Sequence, residues 1–234
     1  MVSYGAMSIE AVIFDLDGIL FETEEVWNQV RRDFAVSHGG HWDAHDQPMV
    51  MGASSMEWAA HMREHNGVQL PDQEIYDGII GGLRRRYAEH VPLISGAREA
   101  VERLAAGFRL GVASSSPRVL IEYALELAGL LPCFGAVVSS DDVGRGKPAP
   151  DVYLEAVARV GTSPERAVAV EDSSNGIRAA YDAGLAVIAI PNPTYPPSAE
   201  ALRLAGVVLR GIGELDGVLI RSFGKRRREA HNGE

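Results

Sequence analysis

Apolar residues follow two different rhythms along this chain of 234 residues. Six short stretches, "EAVIFDLD", "FRLGVASS", "GAVVSS", "RAVAVED", "LAVIAI" and "GVVLR", carry near-continuous runs rich in Val and Ile, the pattern of strands buried on both faces. Between them "SGAREAVERLAAG", "PRVLIEYALELAG", "PDVYLEAVARVG" and "NGIRAAYDAG" repeat apolar residues at helical spacing, and several close on glycine. This alternation predicts right-handed crossovers and a parallel, doubly wound, Rossmann-like α/β sheet. From about Glu22 to Val91 the rhythm changes. No strand pattern appears, while "EEVWNQVRRDFAVSHG", "SSMEWAAHMREHNG" and "EIYDGIIGGLRRRYAEH" all read as helices. The expected organisation is a core of residues 1–21 and 92–224 with an inserted all-helical cap domain, 22–91. Residues 225–234 hold four successive basic residues and read as a solvated, disordered tail rather than a nucleic-acid contact.

Composition narrows the function classes. A hydrophobic content of 46% suits one large core with a smaller insert. The formal net charge of -10 disfavours nucleic acid and anionic membrane as partners, since both would be repelled at long range. No basic segment precedes the first apolar run, and the apolar region Val119 to Val138 is broken by Glu122, Glu126 and Pro132, so neither a signal peptide nor a membrane span is expected. Cys133 is the only cysteine, which rules out an intrachain disulfide and suits a reducing cytoplasm.

Polar groups cluster where strands end. Asp15 and Asp17 follow the first apolar run, Ser114 closes the second, Lys147 lies in a short loop after the third, and Glu171 and Asp172 close the fourth. In an open parallel sheet the carboxyl ends form one rim, with ligands in the crevice outside it. Four carboxylates brought together there either raise one another's pKa or demand a cation. Hard oxygen ligands in a site that must also admit a substrate favour Mg²⁺. Lys147 and Ser114 suit the spread negative charge of a transferring phosphoryl group. Of two aspartates two residues apart, one can attack phosphorus to form an aspartyl phosphate, and the other can protonate the leaving alcohol and later take a proton from water. Apart from Lys225 every other Lys/Arg position is arginine, so the compact ammonium of Lys147 reads as selected for its chemistry.

These residues resemble the haloacid dehalogenase superfamily, in its phosphatase and phosphomutase branch. "DLDGIL", "GVASSSP", "GKPAPDVYL" and "VAVEDSSNG" match the four motifs of that branch in order, over Ile9 to about Ile190. The resemblance implies Asp15 as nucleophile and Asp17 as general acid/base, with the Asp17 backbone carbonyl on Mg²⁺. It implies Ser114, Ser115 and Lys147 as phosphoryl-binding, Gly18 and Thr23 beside the substrate, and Asp172 with Glu171 completing the metal site. The cap would close over the site and select a small phosphorylated metabolite. True dehalogenases generally lack the second aspartate, so Asp17 points to phosphate over halide. Glu22 stands where the family often has Asp.

The cap bears on phosphatase against mutase. Relatives of the β-phosphoglucomutase type carry an arginine just after a glycine and serine, and a histidine in the first cap helix. Here "GASSMEW" places Ser55 at the arginine and Trp27 falls at the histidine. Ser116 and Pro117 are similar to the "SP" of bacterial hexose-phosphate phosphatases. The implied function is a Mg²⁺-dependent sugar-phosphate phosphatase, monomeric or weakly dimeric and cytoplasmic, with a phosphomutase as the alternative and a non-catalytic phosphate-binding module behind it. Arg63, Arg84, Arg85 and Arg86 are the cap cations that could replace the missing arginine.

Weaker patterns are read as structure. "HMREH", His61 to His65, fits an inverted zinc-protease helix motif, and His38, His41 and His45 have ligand-like spacing, but solvated cap residues are the simpler expectation. Trp27, Trp42 and Trp58 are expected to pack the cap. "VGRGKP" lacks the spacing and following Ser or Thr of a nucleotide P-loop.

Overall fold

The computed structural model describes residues 8–50 and 53–231, with the helical backbone alone for residues 225–231. Six strands, β1 (Ala11–Phe14), β2 (Arg109–Ser114), β3 (Ala136–Ser139), β4 (Ala167–Glu171), β5 (Ala186–Ala189) and β6 (Val207–Val208), correspond one to one with the six apolar runs. They form one parallel sheet in the order β3-β2-β1-β4-β5-β6. The chain therefore winds outward from β1 on one side and then returns to wind outward on the other. The order reverses between β1 and β4, which makes the carboxyl ends of those two strands the place for a ligand. Phe14 pairs with Val170, so the next residues along, Asp15 and Glu171, emerge side by side.

Helices α1 (Glu24–Ser37), α2 (Asp46–Val50), α3 (Ser55–His65) and α4 (Asp72–Glu89) follow β1 and make up the helical cap. The core helices are α5 (Ala97–Ala105), α6 (Arg118–Leu127), α7 (Asp151–Arg159), α8 (Ser174–Asp182), α9 (Ala199–Leu202) and α10 (Gly217–His231). Strand alternation divides the core into two layers. Val12, Phe14, Leu110, Val112, Val168 and Val170 face α5, α6 and the cap. On the other face Ala11, Ala113, Ala136, Ala167 and Ala169 are small, so α7 and α8 lie close against the sheet. The cap core is built on Trp58, Met62, Ile75, Ile79, Leu83 and Tyr87, all buried at helical spacing. Chain entry and exit are pinned together by the Phe21–Leu93 bridge and by Glu22 N–H donating to the Pro92 carbonyl at 2.7 Å.

Two elements depart from the sequence reading. The short α2 is absent from the periodicity, since five residues are too few to display it. Helix α10 carries its backbone through the basic run Lys225–Arg228 and on to His231, where a disordered tail is expected; Ile220 and Phe223 are buried and anchor its first turns, and the helix propagates from there. Residues 232–234 of that expected tail lie outside the described residues. No helix among the described residues is long and apolar enough to cross a membrane.

Candidate active site

The rim of the sheet brings Asp15, Lys147, Glu171 and Asp172 into one buried cluster. Lys147 Nζ donates to Asp15 Oδ1 at 2.7 Å and to Glu171 Oε1 at 2.6 Å, and lies 5.1 Å from the centroid of the Tyr153 ring. Burial alone would push the Lys147 amine down, but the two carboxylates overcome it and hold the amine well above its ordinary value. Asp15, Glu171 and Asp172 each present a carboxylate oxygen within 4.8 Å of the others. Burial, followed by the Glu171 and Asp15 charges, drives the Asp172 carboxyl well up. Asp15 is raised too, with burial the largest cause, opposed by Lys147 and reinforced by Glu171 and Asp17. Two carboxylates held at such a cost to ionisation are matched to a cation that would restore their charge.

The members of the cluster are not equally free. Glu171 accepts five hydrogen bonds, from Lys147, the Tyr153 hydroxyl at 2.8 Å, the N–H groups of Asp172 and Ser173, and the Ser173 hydroxyl. Its role in the geometry is to fix Lys147 and the β4–α8 turn. Asp172, in contrast, accepts no hydrogen bond from any described residue. Two glycines make room for these acids. A Cβ on Gly18, whose φ is +81°, would overlap the Asp172 carboxylate, and one on Gly176 in α8 would overlap that of Glu171.

Asp17 stands apart from the cluster. Its Oδ1 accepts from the Thr23 hydroxyl at the start of α1, and its Oδ2 accepts from the hydroxyls of Ser116 at 2.7 Å and Ser114 at 3.2 Å. Ser116, at the start of the turn into α6, is a site residue that the sequence reading left out of the constellation. Ser114 and Thr23 are buried behind the cavity wall and Gly18 is half-buried outside the lining, whereas Asp15, Asp17, Ser115, Lys147 and Asp172 line a cavity of about 480 Å³. Its roof is the cap, through Glu24, Trp27, Arg31, Gln47 and Trp58.

The cap closes onto the core through Ser55, whose N–H (3.1 Å) and hydroxyl both donate to the Asp141 carboxylate. None of Arg63, Arg84, Arg85 or Arg86 lines the cavity beneath. Arg63 pairs with Asp72 and Glu64, Arg86 with Asp33 and Glu89, and Arg84 stacks over Tyr123. The cap cation that does line it is Arg31, which the sequence reading missed. Its signal was available: Trp27 and Arg31 are four residues apart in α1 and share a helix face. The histidine patterns stay outside the acidic site. His61 and His65 lie ring to ring with centroids 4.7 Å apart, and His61 approaches only Asp46, at 3.8 Å.

A doubly wound sheet whose switch point carries a buried acid–lysine cluster beneath a helical lid defines a capped, Rossmann-like α/β protein with an acidic site at its rim. The comparisons agree with that class, and the chain belongs to the haloacid dehalogenase-like hydrolases, whose family pattern it matches over residues 9–184. It is 32% identical over 213 residues to hexitol phosphatase B of Escherichia coli K12, covering 88% of this chain and 94% of that one. The structure of CbbY from Rhodobacter sphaeroides in complex with phosphate superposes with a TM-score of 0.81 at 30% identity, covering 92% of this chain and 99% of the other. A bifunctional riboflavin kinase/FMN phosphatase of Arabidopsis thaliana is 31% identical over 183 residues, and the match spans 48% of that longer protein and 77% of this one. The fold and family expected from the sequence are those found.

Proposed function

We propose that this chain is a Mg²⁺-dependent phosphatase that hydrolyses a small phosphorylated metabolite of the sugar-phosphate class through an aspartyl phosphate. The observation that carries the reading is the separation of two aspartates: Asp15 buried against Lys147 in the acidic cluster, Asp17 held outside it by three hydroxyls. Relatives named as phosphatases support the substrate class.

With Oδ1 held by Lys147, Asp15 has Oδ2 free to attack phosphorus as the bond to the leaving oxygen breaks. Asp17 gives that oxygen a proton and then takes one from the water that cleaves the acyl phosphate, returning Asp15 and releasing inorganic phosphate. Lys147 and Ser115 bind the phosphoryl oxygens from the cavity side. Ser114, Ser116 and Thr23 orient Asp17, and Thr23 links that orientation to the cap. Asp15, Asp172 and the Asp17 carbonyl would hold Mg²⁺, with Glu171 as the buttress behind. Bound there, Mg²⁺ neutralises the clustered carboxylates and polarises a phosphoryl oxygen.

The phosphomutase alternative needs a cap that grips a second phosphate while excluding water. Ser55, at the position where mutase relatives carry arginine, is spent on Asp141. A screen of phosphate release across hexose, hexitol and pentose phosphates, nucleotides and phosphoglycolate, with and without Mg²⁺, tests the reading. Release is expected from sugar or sugar-alcohol phosphates and only with the metal. In a separate assay with β-glucose 1-phosphate, catalytic glucose 1,6-bisphosphate and Mg²⁺, inorganic phosphate is expected to outrun glucose 6-phosphate; the reverse order selects the mutase.

A further inference from the structure

We infer that Arg31 is the recognition cation of the cap, and that the substrate's leaving group carries a second oxyanion, a carboxylate or a phosphate, which Arg31 binds. The inference rests on the phosphatase reading for the position of the reacting phosphoryl group at Asp15 and Lys147.

Arg31 is 4% exposed, yet it borders the cavity opposite the acidic cluster. Among the described residues no carboxylate lies within ion-pairing distance of its guanidinium. Its one direct polar partner is neutral: Nη1 donates to Gln47 Oε1 at 2.9 Å. Gln47 turns its amide nitrogen to Glu24 Oε2 at 2.9 Å, so the oxygen must face Arg31 and the glutamine separates the two charges. Arg31 Nε is buried with no hydrogen-bond partner among the described residues. Burial lowers the guanidinium pKa to about 10, so it remains charged at neutral pH.

A buried cation with an empty donor is unfavourable by itself, and such a group is normally satisfied by an acceptor. Aromatic rings hold it in position instead. The guanidinium carbon lies 4.4 Å from the centroid of Trp27, 5.3 Å from that of Trp58 and 5.8 Å from that of Trp42. These rings fix the plane of the guanidinium without competing for its N–H groups. Lys147, the other cation of the cavity, gives two of its three donors to Asp15 and Glu171, and on the phosphatase reading its third goes to the reacting phosphoryl group. A ligand whose phosphoryl group sits at Asp15 therefore meets one further uncommitted positive charge, in the roof. A planar donor array of this kind matches an oxyanion rather than a neutral hydroxyl.

All three tryptophans of the chain surround Arg31, so intrinsic fluorescence reports on its surroundings directly. The test measures affinity by calorimetry and by tryptophan fluorescence in Mg²⁺, using Asp15→Asn protein to prevent turnover. Two ligand pairs differ by one oxyanion: 6-phosphogluconate against glucose 6-phosphate, and fructose 1,6-bisphosphate against fructose 6-phosphate. At least one pair is expected to show about 10-fold or greater preference for the doubly anionic member, and the pair that does so identifies carboxylate or phosphate. Adding Arg31→Gln should reduce that ratio to about one, and Arg31→Lys, which keeps charge but not the planar donors, should restore part of it. Ratios near one in both pairs, or a preference that survives Arg31→Gln, would overturn the inference. Turnover of p-nitrophenyl phosphate by the unaltered enzyme tests the phosphatase reading separately, because it needs no second anion.

Discussion

Two aspartates separated by a single leucine have opposite fates, decided by what each side chain meets. Asp15 points into the buried cluster and meets a lysine, whereas Asp17 meets hydroxyls from the β2–α6 turn and from the cap. Asp15→Asn removes the proposed nucleophile while preserving shape, so kcat should fall by about 10⁴-fold or more with an unchanged circular dichroism spectrum and no phosphoenzyme. Near-normal turnover by that variant would end the covalent mechanism. Lys147 joins two buried carboxylates, and its loss leaves both uncompensated. Lys147→Met should therefore destabilise the fold by about 3 to 5 kcal/mol, measured by urea unfolding without metal, and Mg²⁺ should restore part of that loss.

At the level of elements, the question is what holds the cap over the core. Ser54 and Glu57 form a capping box at the start of α3, and Asp141 then accepts the first-turn N–H and hydroxyl of Ser55 from across the cleft. A carboxylate at a helix N-terminus is favoured by the partial positive charge there. Asp141 thus acts as a latch between cap and core. Asp141→Ala removes a charge-assisted contact of about 1.5 to 3 kcal/mol. Amide exchange at Ser55 should accelerate by roughly 10- to 150-fold, while exchange in the strands stays the same. Unchanged protection at Ser55 would show that other contacts hold the cap closed.

At the scale of the whole molecule, the proposed metal site links stability to pH. Asp15 and Asp172 both titrate above their ordinary range, so the folded, metal-free protein binds protons more tightly than the unfolded chain does. The sign follows: these two groups make stability fall as pH rises from the ordinary aspartate value of about 4 toward their raised values. Lys147 has the opposite sense, since its pairing is fully present below the ordinary lysine value of about 10.4 and does not vary between pH 5 and 8. On the proposed reading Mg²⁺ would compete with those protons. Its stabilising effect on Tm should be larger at pH 8 than at pH 5, and chelation with EDTA should abolish phosphate release at both. A Tm increment independent of pH would place the metal elsewhere, and full activity in EDTA would end the metal-dependent reading.

The chain by itself determined what depends on local pattern. Strands buried on both faces must be apolar, which made β1 to β5 visible, while the edge strand β6, with Val208 exposed, showed only as a short apolar run; a parallel sheet gathers its carboxyl ends, which made Asp15, Lys147, Glu171 and Asp172 a foreseeable cluster. The tertiary structure alone decided the pairings between distant segments. Ser55 and Asp141 are 86 positions apart, and no periodicity in either segment encodes their contact. Glu171 looks like a metal ligand in the sequence because its type and position are right. Only packing shows Tyr153, Ser173 and Lys147 filling both of its oxygens. Arg31 is the sharpest case, since a charged residue on an amphipathic helix ordinarily faces water. Its spacing from Trp27 is visible within α1, but the approach of Trp42 and Trp58 depends on how α1 meets α3 and on the loop between them, a three-dimensional arrangement that no short window of sequence contains.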